Sequence, residues 1–298
     1  MDNKTTVCII GSINMDLTIT TEKIPMQGET VLGNDFDTYP GGKGANQAVA
    51  AARLGANVNI IGAVGEDPFG TELLEHLQAE GIHIEGIMKD SGKPTGVANI
   101  ILSENDNRII VAPGANMHVD AELVAKHHQL IKQSDVVLLQ LEIPLETVVY
   151  TLEMARKYDV PVIVNPAPYQ DLPDTVLTHA AYITPNEIEA EAMQADPLYD
   201  SIQEKIIMTQ GDKGVALYVN GATQFLPSYP VSVKDTTGAG DTFNGAFAAE
   251  IGAGTSISKA VKFANAAAAL SVTKVGAQGG MPTRQEVEQF IKERTGAE

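Results

Sequence analysis

The chain has 298 residues, 44% of them apolar, enough to bury a full core in one large or two ordinary domains. Its 20 Lys and Arg against 38 Asp and Glu leave a formal charge of −18, which argues against nucleic acid and against an anionic membrane surface as partners. The single cysteine, Cys8, cannot close an internal disulfide, the opening MDNKTTVCIIGS has no long apolar run, and no stretch nears the roughly 18 uninterrupted apolar residues of a membrane helix, so a reducing cytoplasm is expected.

In chain order, TTVCII reads as a buried strand. Residues 16–39 then alternate apolar and polar positions with no adjoining helix, as antiparallel strands do. YPGGKGANQAVAAARLGA comes next, with a helix expected to begin near Asn46. NVNIIGAV is the next buried strand, and Phe69, Leu73 and Leu77, four apart before Gly81, mark a crossover helix. A second alternating segment, 95–111, is again expected to be antiparallel strands. DVVLLQL, VPVIVNP and AYITP are further strands covered on both faces, with a helix through Val148, Leu152 and Ala155 after Pro144. Two late helices carry Phe243, Phe247 and Ile251, and the span from about Ser256 to Lys274. The expected fold is α/β, a doubly wound, mostly parallel sheet with helices on both faces and one domain over 1–298. The two alternating segments, 16–39 and 95–111, would form a small separate β-sheet, placed as a lid.

The densest chemical signal is VKDTTGAGDTFNGAF, residues 233–247, where a strand runs into a Gly-rich turn and then a helix. With Gly238, Ala239 and Gly240 at the helix start, unpaired N–H groups and the positive dipole end would converge on an anion. A carboxylate beside such a site, Asp241, is repelled by a phosphate unless it has a chemical task such as accepting a proton. The GxxxxGK[ST] phosphate loop is absent, and GAGDTF lacks the third glycine of GxGxxG. Around Lys43, Gly41, Gly42 and Gly44 indicate backbone held close to something, with Lys43 and Asn46 as donors. Asn14, Asp16 and Glu142 follow strand ends, where open α/β sheets place ligands, and together they would complement the hydroxyls of a sugar. TPNEIEAE and TQGDKG are candidates for nucleotide contact, with Glu187 and Glu189 also favourable charges in a first helical turn. The six histidines show no metal-ligand spacing.

These residues resemble the ribokinase-type carbohydrate kinases over essentially the whole chain. The two signatures stand as GGKGANQAVAAARLGANVNIIGAVG and DTTGAGDTFNGAF, with GSINMD, PGAN, QLE, NPAP and TPNE in the family's order. The resemblance implies transfer of the γ-phosphoryl group of ATP to the 5-hydroxyl of D-ribose, and a homodimer joined through the lid. It implies sugar contacts at Asn14, Asp16, Gly42, Lys43, Asn46, Glu142 and Asp241, with Asp241 as the base. The anion hole would be the backbone from Thr237 to Gly240, and ATP would meet Asn186, Thr209, Gly211, Gly214, Gly240 and Asn265. Glu189, in the NEIE form of the family's NxxE motif, is implied in placing Mg2+ through water. K+ is implied near Asp235, Thr237, Ser271, Lys274, Gly276 and Gly280, several through backbone carbonyls.

Two features depart from the family's pattern. Between Asn186 and Thr209 only 22 residues intervene, roughly a dozen fewer than the family leads one to expect, so a crossover helix there should be cut short. Asn265 stands where a histidine often flanks the adenine. The alternatives are a kinase of the same family acting on deoxyribose, fructose or a nucleoside, and a catalytically inactive sugar-binding protein.

Overall fold

The strand β1 (Thr6–Ile10) sends Val7 and Ile9 to one side and Cys8 and Ile10 to the other, and all four side chains are fully buried. A strand of that kind needs cover on both faces. The computed structural model, which describes residues 4–103, 106–219 and 221–295, shows how the cover is supplied. From β1 the chain passes through β2 (Asn14–Thr20), β3 (Asp35–Gly41) and α1 (Lys43–Arg53) to β4 (Asn57–Gly65), α2 (Pro68–Ala79) and β5 (His83–Asp90). It continues through β6 (Gly96–Ser103) and β7 (Asp106–Ala112) to the short helices α3 (Ala121–Lys126) and α4 (His128–Lys132). Next come β8 (Val136–Leu139), α5 (Leu145–Lys157), β9 (Val162–Val164), α6 (Asp174–His179), β10 (Tyr182–Ile183) and α7 (Glu187–Met193). The last part holds β11 (Ile207–Thr209), β12 (Gly214–Val219), β13 (Ala222–Pro227), α8 (Ala239–Gly252), α9 (Ile257–Ser271) and α10 (Arg284–Thr295).

Six strands form the main sheet in the order β10-β9-β8-β1-β4-β5, every neighbouring pair parallel. One face is covered by residues of α1, α2, α8, α9 and α10, among them Val49, Leu73, Phe247, Val261 and Val287. The other is covered by α3 to α6, through Val124, Ile131, Leu152 and Val176. The chain builds from β1 out to β5, returns to lay β8 on the other side of β1, and builds out again to β10. Strand order therefore reverses between β1 and β8, and a crevice opens beyond their carboxyl ends.

The second sheet has the order β3-β2-β6-β7. Residues 104 and 105 of the segment 95–111 lie outside the described residues. The expected antiparallel pairing holds for β2 with β3 and for β6 with β7, but β2 and β6 are parallel. The reason is topological: β2 continues outward from β1 and β6 from β5, two strands of the parallel sheet. A third sheet, β11-β12-β13, is antiparallel, and isolated parallel bridges Ile183↔Ile206 and Asn186↔Thr209 set β11 beside β10. The short interval before it holds only the seven-residue α7 and a 3-10 turn, Tyr199–Lys205.

Two helix boundaries differ from expectation. The first long helix starts at Lys43, not near Asn46, because Gly42 takes φ 86 and caps it directly. The span expected to run to Lys274 ends at Ser271. The pairing of α1 with α8 positions the crevice residues. A Cβ on Gly245 would lie 2.6 Å from the Gln47 carbonyl oxygen and 2.7 Å from the Ala50 Cβ, so only glycine lets the two helices meet this closely. One turn earlier on both helices lie Asn46, Gln47 and Asp241.

Phe247 is fully buried beneath that contact, edge-on to Tyr182 with centroids 5.4 Å apart. Phe247→Ala should cost about 3 to 5 kcal/mol in denaturant unfolding. Phe225→Ala, at a side chain 51% exposed on β13, should stay within about 0.5 kcal/mol of the parent.

Candidate active site

At the carboxyl ends of β1 and β8 the first turn of α1 is tied to both strands. Ala45 N–H donates to the Ser12 carbonyl oxygen at 2.9 Å, Ser12 Oγ donates to Glu142 Oε2 at 2.5 Å, and Lys43 N–H donates to the same oxygen at 3.1 Å. The GGKG glycines are held close to the protein itself. A Cβ on Gly42 would lie 2.7 Å from the Asn14 nitrogen, one on Gly44 would lie 2.6 Å from the Gly11 carbonyl carbon, and one on Gly41 would collide with the Asp16 carboxylate. Asn14 Oδ1 accepts from Asn116 Nδ2 at 2.7 Å, which leaves its own amide nitrogen as a donor.

Across the crevice, Gly238 caps α8 in the left-handed conformation, φ 76, so the Gly-rich turn does open the helix. Of the N–H groups expected to meet an anion, from Thr237 to Gly240, those of Thr237 and Ala239 have partners within the turn region. Ala239 N–H turns back to the Thr236 carbonyl oxygen at 3.2 Å, whereas no described acceptor takes the N–H groups of Gly238, Gly240 and Asp241. The turn is pinned from behind: Asn244 Nδ2 donates to the Gly240 carbonyl oxygen at 2.9 Å, and Asn244 Oδ1 accepts from Thr184 Oγ1 at 2.5 Å. Asp241 Oδ1 accepts from Gln47 Nε2 and Oδ2 from Asn46 Nδ2, both at 2.9 Å. Asn46, expected to meet a sugar, gives one N–H of its amide to Asp241, and its Oδ1 accepts from Gln278 Nε2 at 2.8 Å.

Four carboxylates surround one lysine. Burial pushes the Asp241 carboxyl up, against Lys43 and the Gln47 and Asn46 amides, which pull it down, while Glu142 adds to the rise. Burial, helped by Glu142 and Asp241, pushes Asp16 up to about 7. Burial also raises Glu189, opposed by the Asn186 N–H and Lys43. For Lys43 burial acts downward, yet Asp241, Glu142, Glu189 and Asp16 outweigh it and the net shift is upward. The ammonium sits 3.9 Å from Glu142 Oε1. A centre of this kind holds a proton donor or acceptor next to a fixed positive charge.

A cleft of ≈ 180 Å³ joins Lys43, Asp241, Gly238 and Gly240 to Asn186, Glu189 and Thr209. Asn186 and Glu189 form a capping box at the start of α7, with Asn186 N–H donating to Glu189 Oε2 at 2.8 Å and Glu189 N–H to Asn186 Oδ1 at 2.9 Å. Three expected nucleotide contacts stand outside this cleft. Gly211 is in the exposed turn after β11, Gly214 is buried where β12 pairs with β13, and the Asn265 amide donates to the Pro227 carbonyl oxygen at 2.9 Å. Among the expected cation positions, Asp235 clamps two segments: Oδ1 accepts from Thr237 N–H at 2.9 Å and Thr237 Oγ1 at 2.6 Å, and Oδ2 from Gly276 N–H at 2.8 Å. Burial works against the Asp235 charge, but those donors prevail and hold its carboxyl below the usual range. Lys274 points its ammonium elsewhere, 3.8 Å from Glu286, and Ser271 turns its carbonyl oxygen toward Gly280, where a Cβ would collide with it.

The sequence reading missed Ser12, Gln47, Asn116, Gln278, Thr184 and Asn244. Five of them lie inside motifs quoted above, Ser12 in GSINMD, Gln47 in GGKGANQ, Asn116 in PGAN, Thr184 in TPNE and Asn244 in DTFNGAF, and that membership was the available signal; Gln278 lies in none.

Gly238 and Gly240 separate conformational need from ligand space. A Cβ on Gly238 would meet the Ala277 carbonyl oxygen at 2.7 Å at a positive φ, whereas one on Gly240 meets nothing within 4 Å. Gly238→Ala should therefore lower stability by roughly 1 to 3 kcal/mol, while Gly240→Ala leaves Tm unchanged and acts only on ligand binding. Asp16 supplies a pH test. Its pKa is higher folded, about 7, than in an unfolded chain, so its contribution is intact below about pH 4 and is lost as pH rises through 7. Asp16→Asn should flatten that decline and be the more stable protein at pH 8 by roughly 1 to 3 kcal/mol, with no advantage at pH 4. Denaturant midpoints at the two pH values check this.

Residues 4–284 match the pattern of the pfkB family carbohydrate kinases. A ribokinase of Bacillus subtilis is 46% identical over 292 residues, covering 96% of this chain and 99% of that protein. Ribokinase from Thermotoga maritima has a similar structure, with TM-score 0.88 and 38% identity over 97% of this chain and 99% of that one. Arabidopsis thaliana ribokinase, solved with ribose and ATP, gives TM-score 0.89 and 31% identity over the same shares, 97% and 99%. Shared sequence and shared fold agree across nearly the whole length, and the chain belongs to the pfkB family of carbohydrate kinases.

Proposed function

We propose that this kinase transfers the γ-phosphoryl group of ATP to the 5-hydroxyl of D-ribose, giving ribose 5-phosphate and ADP. The observation that carries the reading is the first turn of α8, where a buried carboxylate and two uncommitted N–H groups share one corner of the cleft. The Asp241 carboxylate accepts the proton of the 5-hydroxyl as its oxygen bonds to the γ-phosphorus and the bond to the ADP oxygen breaks. Gly240 and Asp241 N–H groups and the Lys43 ammonium meet the charge of the phosphoryl group. Asn14, Asp16 and Glu142 offer an amide and two carboxyls to the ring hydroxyls, which suits a sugar.

Mg2+ carried on the triphosphate would supply neutralising charge that the acidic surroundings lack. Glu189 keeps one oxygen on the Asn186 N–H and lines the cleft, so it would reach that ion through water. For K+, Asp235, Thr237, Ser271, Lys274, Gly276 and Gly280, several of them through backbone carbonyls, would form the donor set, and the ion would add positive charge behind the turn that opens α8. The hydrogen bonds of Asp235 to both segments support this placement. The second sheet acts as the lid and as the homodimer interface in this reading, supported by the exposed Leu32, Phe36, Tyr39, Ile109 and Ile110. No helix among the described residues is long and apolar enough to cross a membrane. A cytoplasmic location fits the use of ATP and the buried, unpaired Cys8 thiol.

A coupled assay of ADP release over ribose, 2-deoxyribose, fructose and nucleosides tests the assignment. Ribose should show the highest kcat/KM, and equal values for ribose and fructose would overturn it. Asp241→Asn should bind ribose and ATP yet lose roughly 10² to 10⁴-fold in kcat; a kcat within a factor of about three of the parent would remove Asp241 as the base.

A further inference from the structure

We propose that His76, Gln278 and Gln140, none of which lines the cleft, are positioning residues that orient Asp241 through two one-way amide relays, one ending on each carboxylate oxygen. The inference rests on the reading of Asp241 as the base. A carboxylate only accepts, so Asn46 and Gln47 must each turn their NH2 group toward it. Their own oxygens then face away and each needs a donor.

On the first relay, Asn46 Oδ1 takes Gln278 Nε2–H at 2.8 Å. Gln278 Oε1 is thereby turned outward and lies 2.6 Å from His76 Nε2. Since that oxygen cannot donate, His76 must carry its hydrogen on Nε2, and the ring fixes the direction of every bond down to Asp241. Gln278 is buried, and its backbone is anchored by Arg53 Nη1, which donates to the Gln278 carbonyl oxygen at 2.5 Å while Arg53 pairs with Glu80 at 2.6 Å. On the second relay, Gln47 Oε1 takes Gln140 Nε2–H at 2.6 Å, and Gln47 Nε2 donates to Asp241 Oδ1 at 2.9 Å and to Asn165 Oδ1 at 3.1 Å.

The second relay carries a cost that packing alone does not explain. Gln47 and Gln140 are both fully buried, and Gln140 Oε1 has no hydrogen-bond partner. Buried oxygens without partners are rare because desolvation is left uncompensated. Turning the Gln140 amide over would leave Gln47 free to aim its own oxygen at the Asp241 carboxylate, which the observed orientation prevents. Aligned amides also polarise one another, so the last N–H of each chain donates more strongly than a lone amide would.

Charged groups around Asp241 are Lys43, Glu142 and Asp16, with Glu189 beyond Lys43, and Glu80 and Arg53 flank His76 at the outer end. Substitutions at His76, Gln278 and Gln140 leave all of these in place. His76→Phe and the near-isosteric Gln278→Glu, whose carboxylate cannot donate to Asn46, should each lower kcat about 5- to 20-fold with KM for ribose and ATP unchanged. The acidic limb of the kcat–pH profile should move up by about half a pH unit, because a carboxylate with weaker donors keeps its proton to higher pH. His76→Gln, which restores an N–H to Gln278 Oε1, should recover most of the loss. Gln140→Leu should lower kcat with KM unchanged and lower Tm modestly, since it removes the unpartnered oxygen but leaves the buried Gln47 Oε1 without its donor. Parent-like kcat and pH limb in both His76→Phe and Gln278→Glu, or a Gln140→Leu protein that keeps the parent kcat, would overturn the relays. Asp241→Asn in the same series separates the two levels: if it keeps its kcat the base assignment itself fails, and if it alone loses kcat the relays fail and the base stands.

Discussion

Everything at the candidate site depends on one packing contact, the close approach of α1 to α8. With Gly245 under Gln47 and Ala50, the two helices meet backbone to side chain, and their first turns fall side by side. Asp241 can then be buried only because α1 presents Asn46 and Gln47 within hydrogen-bond reach at 2.9 Å each. A carboxylate buried without such donors would take up a proton and lose the capacity to accept another. The same contact sets the Gly-rich turn of α8 beside Lys43, so a helix start with free N–H groups and a buried carboxylate share one cleft.

Charge organises the rest of the crevice. One ammonium serves four carboxylates, and burial resists ionisation of three of them, Asp16, Glu189 and Asp241. Glu142 is tied down by Ser12 and by the first N–H of α1, so the lysine and its nearest carboxylate are positioned by backbone as well as by attraction. A polyphosphate with its counter-ion and a neutral polyol suit such a site, since the polyol supplies hydrogen bonds that the carboxyls lack.

The second sheet is a consequence of the first. β2 and β6 leave the main sheet by continuing β1 and β5, and their shared direction makes the pairing between them parallel. The crevice therefore lies where the two sheets part, and Asn14 and Asp16 reach it from the root of the smaller one.

By itself the sequence determined the architecture and the chemical inventory. Continuous apolar runs demand strands covered on both faces, GAGDTF demands a turn that opens a helix, and Asn14, Asp16, Lys43, Glu142 and Asp241 declare themselves as polar residues at strand ends or among glycines. These are local patterns, and local backbone geometry obeys them. Tertiary structure alone decided the first residue of α1, the parallel pairing of β2 with β6, the turning away of Ala239 N–H and Asn265, and the identity of every group that holds Asp241. Gln47 lies 194 positions from Asp241, Gln278 lies 232 from Asn46, and His76 lies 202 from Gln278. A buried amide needs a partner, but which partner it meets is chosen by how helices pack across the whole chain, and no spacing within one segment records that choice.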